Sequence, residues 1–285
     1  MHVIAHGGAG GTSGEPAKRQ AVLDAAVDDG AAADTPLDAV ETTIKQLEHD
    51  PRFNAGIGGA VQSDGVSRTD AGLMTGVGAV GAAASMPGVE HAISAARVVL
   101  EETPHVLLSG RHAIELAADF GVETDQDLSA AHSRERWSEA PDPPSGGPRA
   151  HLEWVRERFG GRDTVGTVAT DGEEIAVGTS TAGRWFALAG RIGDVPQIGS
   201  GFFAGETAAA SATGAGEDIA RSTLARVAVQ HVEAGENPTA AAEGALAEFE
   251  ALTGSTAGVI VMNRDGNRGE AFNAAEMQTA AVGPD

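Results

Sequence analysis

Apolar positions recur along this chain with two periods, and the changes from one to the other predict its elements. Residues 2–6 form a short apolar run that reads as a buried opening strand, followed at once by Gly7-Gly8-Ala9-Gly10-Gly11. Alanine-rich stretches with helical spacing cover about 15–30 and 36–48, with Gly30 and Asp50-Pro51 as stops. From Asn54 to about Ala84 the texture becomes glycine-rich with short strand-like pieces, and Ser63-Asp64-Gly65 predicts a hairpin turn. Pro87 opens a predicted helix over about 88–102, and another runs near 109–120. The pattern lapses from about 123 to 163, where three prolines within Pro141-Asp-Pro-Pro144 mark a linker; a short helical piece over about 151–159 interrupts it. Order returns at Thr164. Two β-prone runs, Thr164–Thr170 and Glu174–Ser180, flank Asp171-Gly172 and predict a hairpin. A glycine-rich loop over about 182–205, helices over about 216–234 and 238–252, and a second Asp-Gly hairpin at Ala257–Asn263 and Arg268–Phe272 complete the chain. Helices and hairpins come in groups instead of alternating, which predicts an α+β fold, an antiparallel sheet covered by helices, over a doubly wound parallel sheet.

Composition narrows the class. The 285 residues carry 19 Lys+Arg against 41 Asp+Glu, a net charge of −22, with 39 glycines and no cysteine. Absence of cysteine excludes disulfide scaffolds, Cys-ligated zinc and thiol nucleophiles. The negative charge argues against nucleic acid, whose phosphates need clustered cations. No apolar run reaches the roughly 18 residues of a membrane span, and the start of the chain lacks the features of a signal peptide, so a cytoplasmic protein is expected. Only Lys18 and Lys45 are lysines. Low lysine with excess carboxylate predicts adaptation to high salt, where screening relieves self-repulsion.

Without a thiol, the nucleophile must be Ser, Thr, Lys or a carboxylate. Gly178-Thr-Ser-Thr-Ala182 fails the serine-hydrolase elbow at its last position, and Gly76-Val-Gly-Ala-Val-Gly81 lacks the strand and helix that a dinucleotide fingerprint requires. The histidines show no metal-site spacing, and no catalytic cofactor or metal is expected. The junction of linker and hairpin is more informative. A chain cut between Asp163 and Thr164 would give Thr164 a free α-amine, with a pKa near 7.7–8, that can serve as its own general base. With Asp171-Gly172 at the turn, antiparallel pairing sets Thr164 opposite about Thr179, and a slip of one or two residues brings Thr181 there. Threonines are also simply common in strands. Gly190-Arg191-Ile-Gly-Asp194 can grip an amino-acid head, the guanidinium on its α-carboxylate and the aspartate on its α-ammonium, or form a salt bridge within the loop. Thr213-Gly-Ala-Gly216-Glu217 stands before a helix and suits either an oxyanion or an ordinary cap.

Together, Phe53-Asn-Ala-Gly-Ile-Gly58, Asp70-Ala-Gly-Leu-Met-Thr-Gly76, Asp163-Thr-Val-Gly166, Thr179-Ser-Thr181, Gly190-Arg-Ile-Gly-Asp194 and Ala212-Thr-Gly-Ala-Gly-Glu217 resemble the plant-type asparaginase and isoaspartyl aminopeptidase family, related to the glycosylasparaginases. The resemblance spans nearly the whole chain from His6-Gly-Gly-Ala-Gly10. It implies an N-terminal-nucleophile hydrolase with an αββα sandwich, one amidohydrolase domain over 1–285 that cleaves itself before Thr164 into an α part (1–163) and a β part (164–285). It further implies Thr164 as nucleophile and Thr181 as its hydroxyl neighbour. Arg191 and Asp194 would bind the substrate head, Thr213 and Asn54 donate to the oxyanion, and Gly214 line the pocket. Gly7, Gly8 and Gly10 would form a tight loop beneath the nucleophile. A structural sodium on backbone carbonyls around 50–60, a small-molecule substrate and a homodimer of αβ units are also implied. The expected activity is hydrolysis of L-asparagine and β-aspartyl dipeptides. Asp163 before the nucleophile, Ala182-Gly183, and Arg184-Trp-Phe-Ala-Leu-Ala189 without the usual lysine keep a glycosylasparaginase as the alternative.

Overall fold

A computed structural model describes residues 1–11, 14–161 and 164–283. Strand β1 (His2–Gly10) opens the chain, then helices α1 (Pro16–Ala31) and α2 (Pro36–His49), and the hairpin β2 (Thr69–Thr75) and β3 (Val80–Met86). Next come α3 (Ala92–Glu102), β4 (Leu107–Ser109), α4 (Gly110–Asp119), α5 (Ala131–Glu139) and α6 (Pro148–Arg158). The hairpin β5 (Val165–Thr170) and β6 (Ile175–Thr181) leads to β7 (Phe202–Ala204) and β8 (Ala208–Gly214). Helices α7 (Gly216–Ser222), α8 (Leu224–Glu233) and α9 (Pro238–Thr253) precede β9 (Ala257–Asn263), β10 (Arg268–Phe272) and β11 (Glu276–Val282). Local chemistry sets several starts. Thr35 and Asn237 each accept from a main-chain N–H of the first turn, Asp38 at 3.1 Å and Ala240 at 3.0 Å, and a proline follows each at the first helical position.

The strands form two sheets. One runs β11-β1-β5-β6-β2-β3-β4, antiparallel except for the parallel pair β3/β4; the other runs β10-β9-β8-β7 and is antiparallel throughout. Leu23 and Val27 of α1, Val40 and Ile44 of α2, and Ile93 of α3 share a core with Val3, Leu73 and Val165 of the larger sheet. Ile219, Leu224, Val229 and Phe249 of α7–α9 cover Val259 and Val261 of the smaller one. Ile4, Val168, Val177, Phe202, Ile260 and Met262 fill the space between the sheets. The result is the expected αββα sandwich. Because β5, β6 and β8 are covered on both faces, every residue in them is buried, and close approach dictates their small residues. Gly72 of β2 is the clearest case, since a Cβ there would overlap the ring of buried Phe202 from the opposite sheet. No helix among the described residues is long and apolar enough to cross a membrane.

The fold corrects several sequence expectations. Gly7, Gly8 and Gly10 are not a loop: they continue β1, with the irregularity confined to a bulge between His6 and Ala9 and Gly8 at φ 110°. Pro87 does not open a helix; Pro87-Gly88 turns the chain, with Gly88 at φ 75°, and α3 begins at Ala92. The helix expected over 216–234 breaks at Thr223, which takes φ 53° between α7 and α8. Residues 123–161 are more ordered than their polar composition suggested, because Trp137 near the end of α5 and Trp154 of α6 pack on Phe186. The loop expected over 182–205 contains β7, and the final hairpin is followed by β11, which pairs with β1.

Candidate active site

Thr164 leads into β5 and is 5% exposed. The β5/β6 register pairs Val165 with Ser180 and Gly166 with Thr179, so one further step sets Thr164 beside Thr181 and not Thr179. The connection is the reason. It holds four residues, because Thr170 pairs with Ile175 and the Asp171 carboxylate folds back to accept from the N–H groups of Glu173 (2.9 Å) and Glu174 (2.7 Å). On the far side of β6, Thr181 pairs with Asp70 of β2. Directly paired residues point to the same face. That face turns toward the second sheet, since Gly166 and Gly72, two residues along, abut Ser211 and Phe202. Asp163, the expected cleavage residue, lies outside the described residues.

Two loops are stitched around these strand ends. Thr181 Oγ1 accepts from Gly183 N at 3.0 Å and donates to Asn54 O at 3.4 Å. Asn54 donates from Nδ2 to Gly183 O (2.6 Å), accepts at Oδ1 from Ala60 N (2.8 Å), and its carbonyl accepts from Ala182 N (2.8 Å). From the other sheet comes Thr213, fully buried at the end of β8, whose Oγ1 accepts from Ala9 N of β1 at 3.2 Å. Gly214 follows at φ 140°; a side chain there would meet Thr256 O and Ala257 Cα at 2.6 Å.

The head-group pair is built differently from a loop salt bridge. Arg191 donates from Nε to Glu217 at 2.8 Å, and Arg184 donates to the other Glu217 oxygen at 3.0 Å. The guanidinium of Arg191 lies against Gly193 and Gly216, and the Asp194 carboxylate also borders Gly216. Arg191 Nη2 and Asp194 Oδ2 are both buried without a hydrogen-bond partner among the described residues. Burial pushes the Asp194 carboxyl up to about 6, with the Glu217 charge adding to the rise and Arg191 and Arg184 opposing it. Burial likewise raises Asp70 to about 7; its carboxylate accepts from Ser85 N at 2.6 Å and feels both Arg191 and Asp194. Burial also pushes Glu217 up, but the hydrogen bond and charge of Arg191 hold it below the usual range. The ring of Phe159 lies 3.8 Å from the Arg184 guanidinium carbon and 5.8 Å from that of Arg191. The arrangement thus offers clustered hydroxyls, a cation with an uncommitted N–H, and a carboxylate that changes charge near neutral pH.

A sequence profile described as asparaginase matches residues 1–285. The chain belongs to the asparaginase family. Similar proteins include a plant-type L-asparaginase of Pyrococcus furiosus, 38% identical over 98% of this chain and 95% of that protein. A plant-type L-asparaginase of Pyrococcus abyssi is 40% identical over 86% of this chain and 82% of its own length. An isoaspartyl peptidase/L-asparaginase of Rattus norvegicus is 34% identical over 98% and 85% respectively. As a member of the asparaginase family, the protein is a hydrolytic enzyme.

Of the expected site residues, Thr164 and Thr181 stand side by side by strand register, Asn54 bonds Thr181 and Gly183, Arg191 and Asp194 both border Gly216, and Thr213 and Gly214 end β8. No separate role was expected for Asp70, Glu217, His6 or Ser211. Their signal was a polar residue within an otherwise apolar buried run, as for Asp70 in β2 and Ser211 in β8. Glu48 carries the same mark: it is fully buried, accepts from Ser180 Oγ at 2.6 Å and Ile93 N at 3.0 Å, and ties α2 beneath β6.

Proposed function

We propose that this enzyme hydrolyses the side-chain amide of L-asparagine and the isopeptide bond of β-aspartyl dipeptides, using Thr164 freed by cleavage after Asp163. The observation that carries the reading is the pair of buried, unpartnered atoms Arg191 Nη2 and Asp194 Oδ2 beside the threonine cluster. A guanidinium N–H and a carboxylate oxygen, both buried and without a hydrogen-bond partner among the described residues, match the α-carboxylate and α-ammonium of one amino-acid head. In the proposed reaction Thr164 Oγ attacks the side-chain carbonyl while the Thr164 amine takes its proton. That proton passes to the departing ammonia or amine, and water then hydrolyses the β-aspartyl ester to release aspartate. Thr181 orients the nucleophile. Thr213 and Asn54 stabilise the oxyanion.

Maturation fits the same topology. Strands β5 and β6, beginning at the new terminus, lie between β1 and β2 of the preceding part, so fragments 1–163 and 164–285 remain one unit held by sheet hydrogen bonds. A structural sodium is part of the proposal. The carbonyls of Glu48, Asp50, Gly56 and Gly58 each accept a hydrogen bond and keep a second lone pair, the neutral oxygen chemistry that a monovalent ion takes. The mature protein is proposed to be cytoplasmic, a homodimer of αβ units, and salt-adapted.

Intact mass and activity together test the reading. Wild-type protein should separate into fragments of 163 and 122 residues (285 − 163) and release ammonia from asparagine, whereas Thr164→Ala should stay whole at 28.7 kDa and inactive. A whole, active wild-type chain would refute the proposed nucleophile. Assays with asparagine, β-aspartyl-leucine and a glycosylated asparagine rank the substrates, and preference for the last would reassign the activity.

A further inference from the structure

His6 lies on β1 where the two sheets press together, and none of it is exposed. Its Nε2 is 2.7 Å from the hydroxyl of Ser211 on β8, a polar bridge across an interface filled mostly by apolar side chains. The bridge passes directly over Gly166, and a Cβ at that position would overlap both Ser211 Oγ and His6 Nε2. The main chain two residues beyond Thr164 is therefore in contact with the pair. A second rung lies close by: Ala9, three residues after His6, donates to Thr213, two residues after Ser211. The same two strands are thus pinned once behind the candidate nucleophile and once at the candidate oxyanion threonine.

The second ring nitrogen, His6 Nδ1, is buried without a partner at full hydrogen-bonding geometry. Burial lowers the imidazole pKa to about 3; the main chain of Thr164 acts in the opposite direction, and the Arg19 charge adds to the fall. A neutral imidazole has one N–H and one lone pair. Both neighbours are served when Nδ1–H faces the Thr164 carbonyl and Nε2 accepts from the Ser211 hydroxyl. In this arrangement the ring cannot act as a proton donor to substrate, because Ser211 and the strand backbone enclose it.

We propose that His6 and Ser211 form a positioning pair: the imidazole, locked by Ser211, holds the main chain of Thr164 so that its amine and Oγ keep a fixed distance from Thr213. This inference rests on the reading of Thr164 as nucleophile. A positioning role affects the reaction of bound substrate more than its binding, because Arg191 and Asp194 sit on a different loop. A displacement of about 1 Å in a reacting group costs up to about 100-fold in rate.

The test compares Ser211→Ala, His6→Leu and His6→Gln, each isolated as the cut protein, with thermal unfolding followed alongside. The Gln amide reaches the Nε2 position and preserves the bridge. Ser211→Ala and His6→Leu should lower kcat about 10- to 100-fold with KM within about twofold of wild type. His6→Gln, which keeps the bridge to Ser211 but not the Nδ1–H toward Thr164, should recover kcat in part, to a value between His6→Leu and wild type, and the double variant Ser211→Ala/His6→Leu should be no slower than its worse single parent. Wild-type kcat in cut Ser211→Ala, or additive losses in the double variant, would overturn the proposal. Should His6→Leu fail to fold, nitrogen NMR of the wild-type imidazole decides: one neutral tautomer with unprotonated Nε2 down to pH 5 is expected, and protonation near pH 6 overturns it. Thr164→Ala serves as the separating control. If it is inactive while Ser211→Ala is normal, only this inference fails; if it is active, the nucleophile reading beneath it fails.

Discussion

The acid limb of the pH–rate profile is where the buried carboxylate of Asp194 should show itself. Its pKa is raised from 3.8 to about 6, first by burial and then by the Glu217 charge. That rise corresponds to about 3 kcal/mol against ionisation, and the group is only 5% exposed, so solvent screens little of it. The sign follows directly. Above pH 6 the ionised carboxylate is ready for the substrate ammonium; below it the proton must be expelled before substrate binds, and kcat/KM falls about tenfold per pH unit. A free Thr164 amine, with an ordinary pKa of about 7.7–8, imposes its own tenfold-per-unit fall below that value. The logarithmic limb of kcat/KM should therefore steepen from slope one to slope two near pH 6, since kcat/KM reports the free enzyme. Ammonia release from asparagine between pH 4.5 and 9 at constant ionic strength measures it. Asp194→Asn should lower the plateau and remove the second break, and a substrate lacking the α-ammonium should lose the break with wild-type enzyme. Asp70, raised to about 7 and coupled to Asp194, makes the observed breaks properties of the pair, which Asp70→Asn separates. A limb of slope one down to pH 4.5, or a second break that survives in Asp194→Asn, would refute the assignment.

Three further outcomes are expected. Arg191→Lys keeps the charge but loses the fork that serves Glu217 and substrate together, so kcat/KM for asparagine should fall about 100-fold, mostly through KM; a change under threefold would remove Arg191 from the head-group site. Gly72→Val places atoms inside the ring of Phe202, which lies fully buried between the sheets, and should cost at least about 1–3 kcal/mol in urea unfolding; an unchanged midpoint would contradict the packing. With a net charge of −22, the protein should melt at higher temperature in 2 M than in 0.1 M potassium chloride, and equal melting temperatures would rule out salt adaptation.

How far the sequence could be read depended on whether the signal was local. Hairpins at Asp171-Gly172 and Asp265-Gly266 announced themselves through two β-prone runs and a turn, and helices α2 and α9 through apolar residues at helical spacing after a capping residue. The register across Thr164 was not local. It depended on two extra residues that the Asp171 side chain folds into the turn, and that difference decides whether Thr179 or Thr181 flanks the candidate nucleophile. Helix α5 was missed because its stability comes from Trp137 meeting Trp154 and Phe186, partners 17 and 49 residues away (154 − 137 and 186 − 137), and not from its own polar pattern. Glu217 was illegible for the same reason: Arg191, which holds its carboxyl below the usual range, reaches it only through the fold, and the burial that raises Asp70 is likewise a property of the fold.

The site divides its tasks between elements of different rigidity. Thr164, Thr181 and Thr213 stand at or next to the ends of β5, β6 and β8, strands buried on both faces. Arg191 and Asp194 stand on the loop between β6 and β7, where the recognition geometry depends on Glu217, Arg184 and Phe159. Of the departures from the family pattern, those at Ala182 and across Arg184–Ala189 lie on that loop and not on the strands. Changes there can reshape the space around the leaving group while the threonines keep their spacing. Substituting the loop residues Arg184–Leu188 should therefore change the ratio of kcat/KM between asparagine and β-aspartyl-leucine without abolishing cleavage before Thr164. If loop variants instead failed to mature, recognition and self-cleavage would share one geometry, and this division of tasks would have to be abandoned.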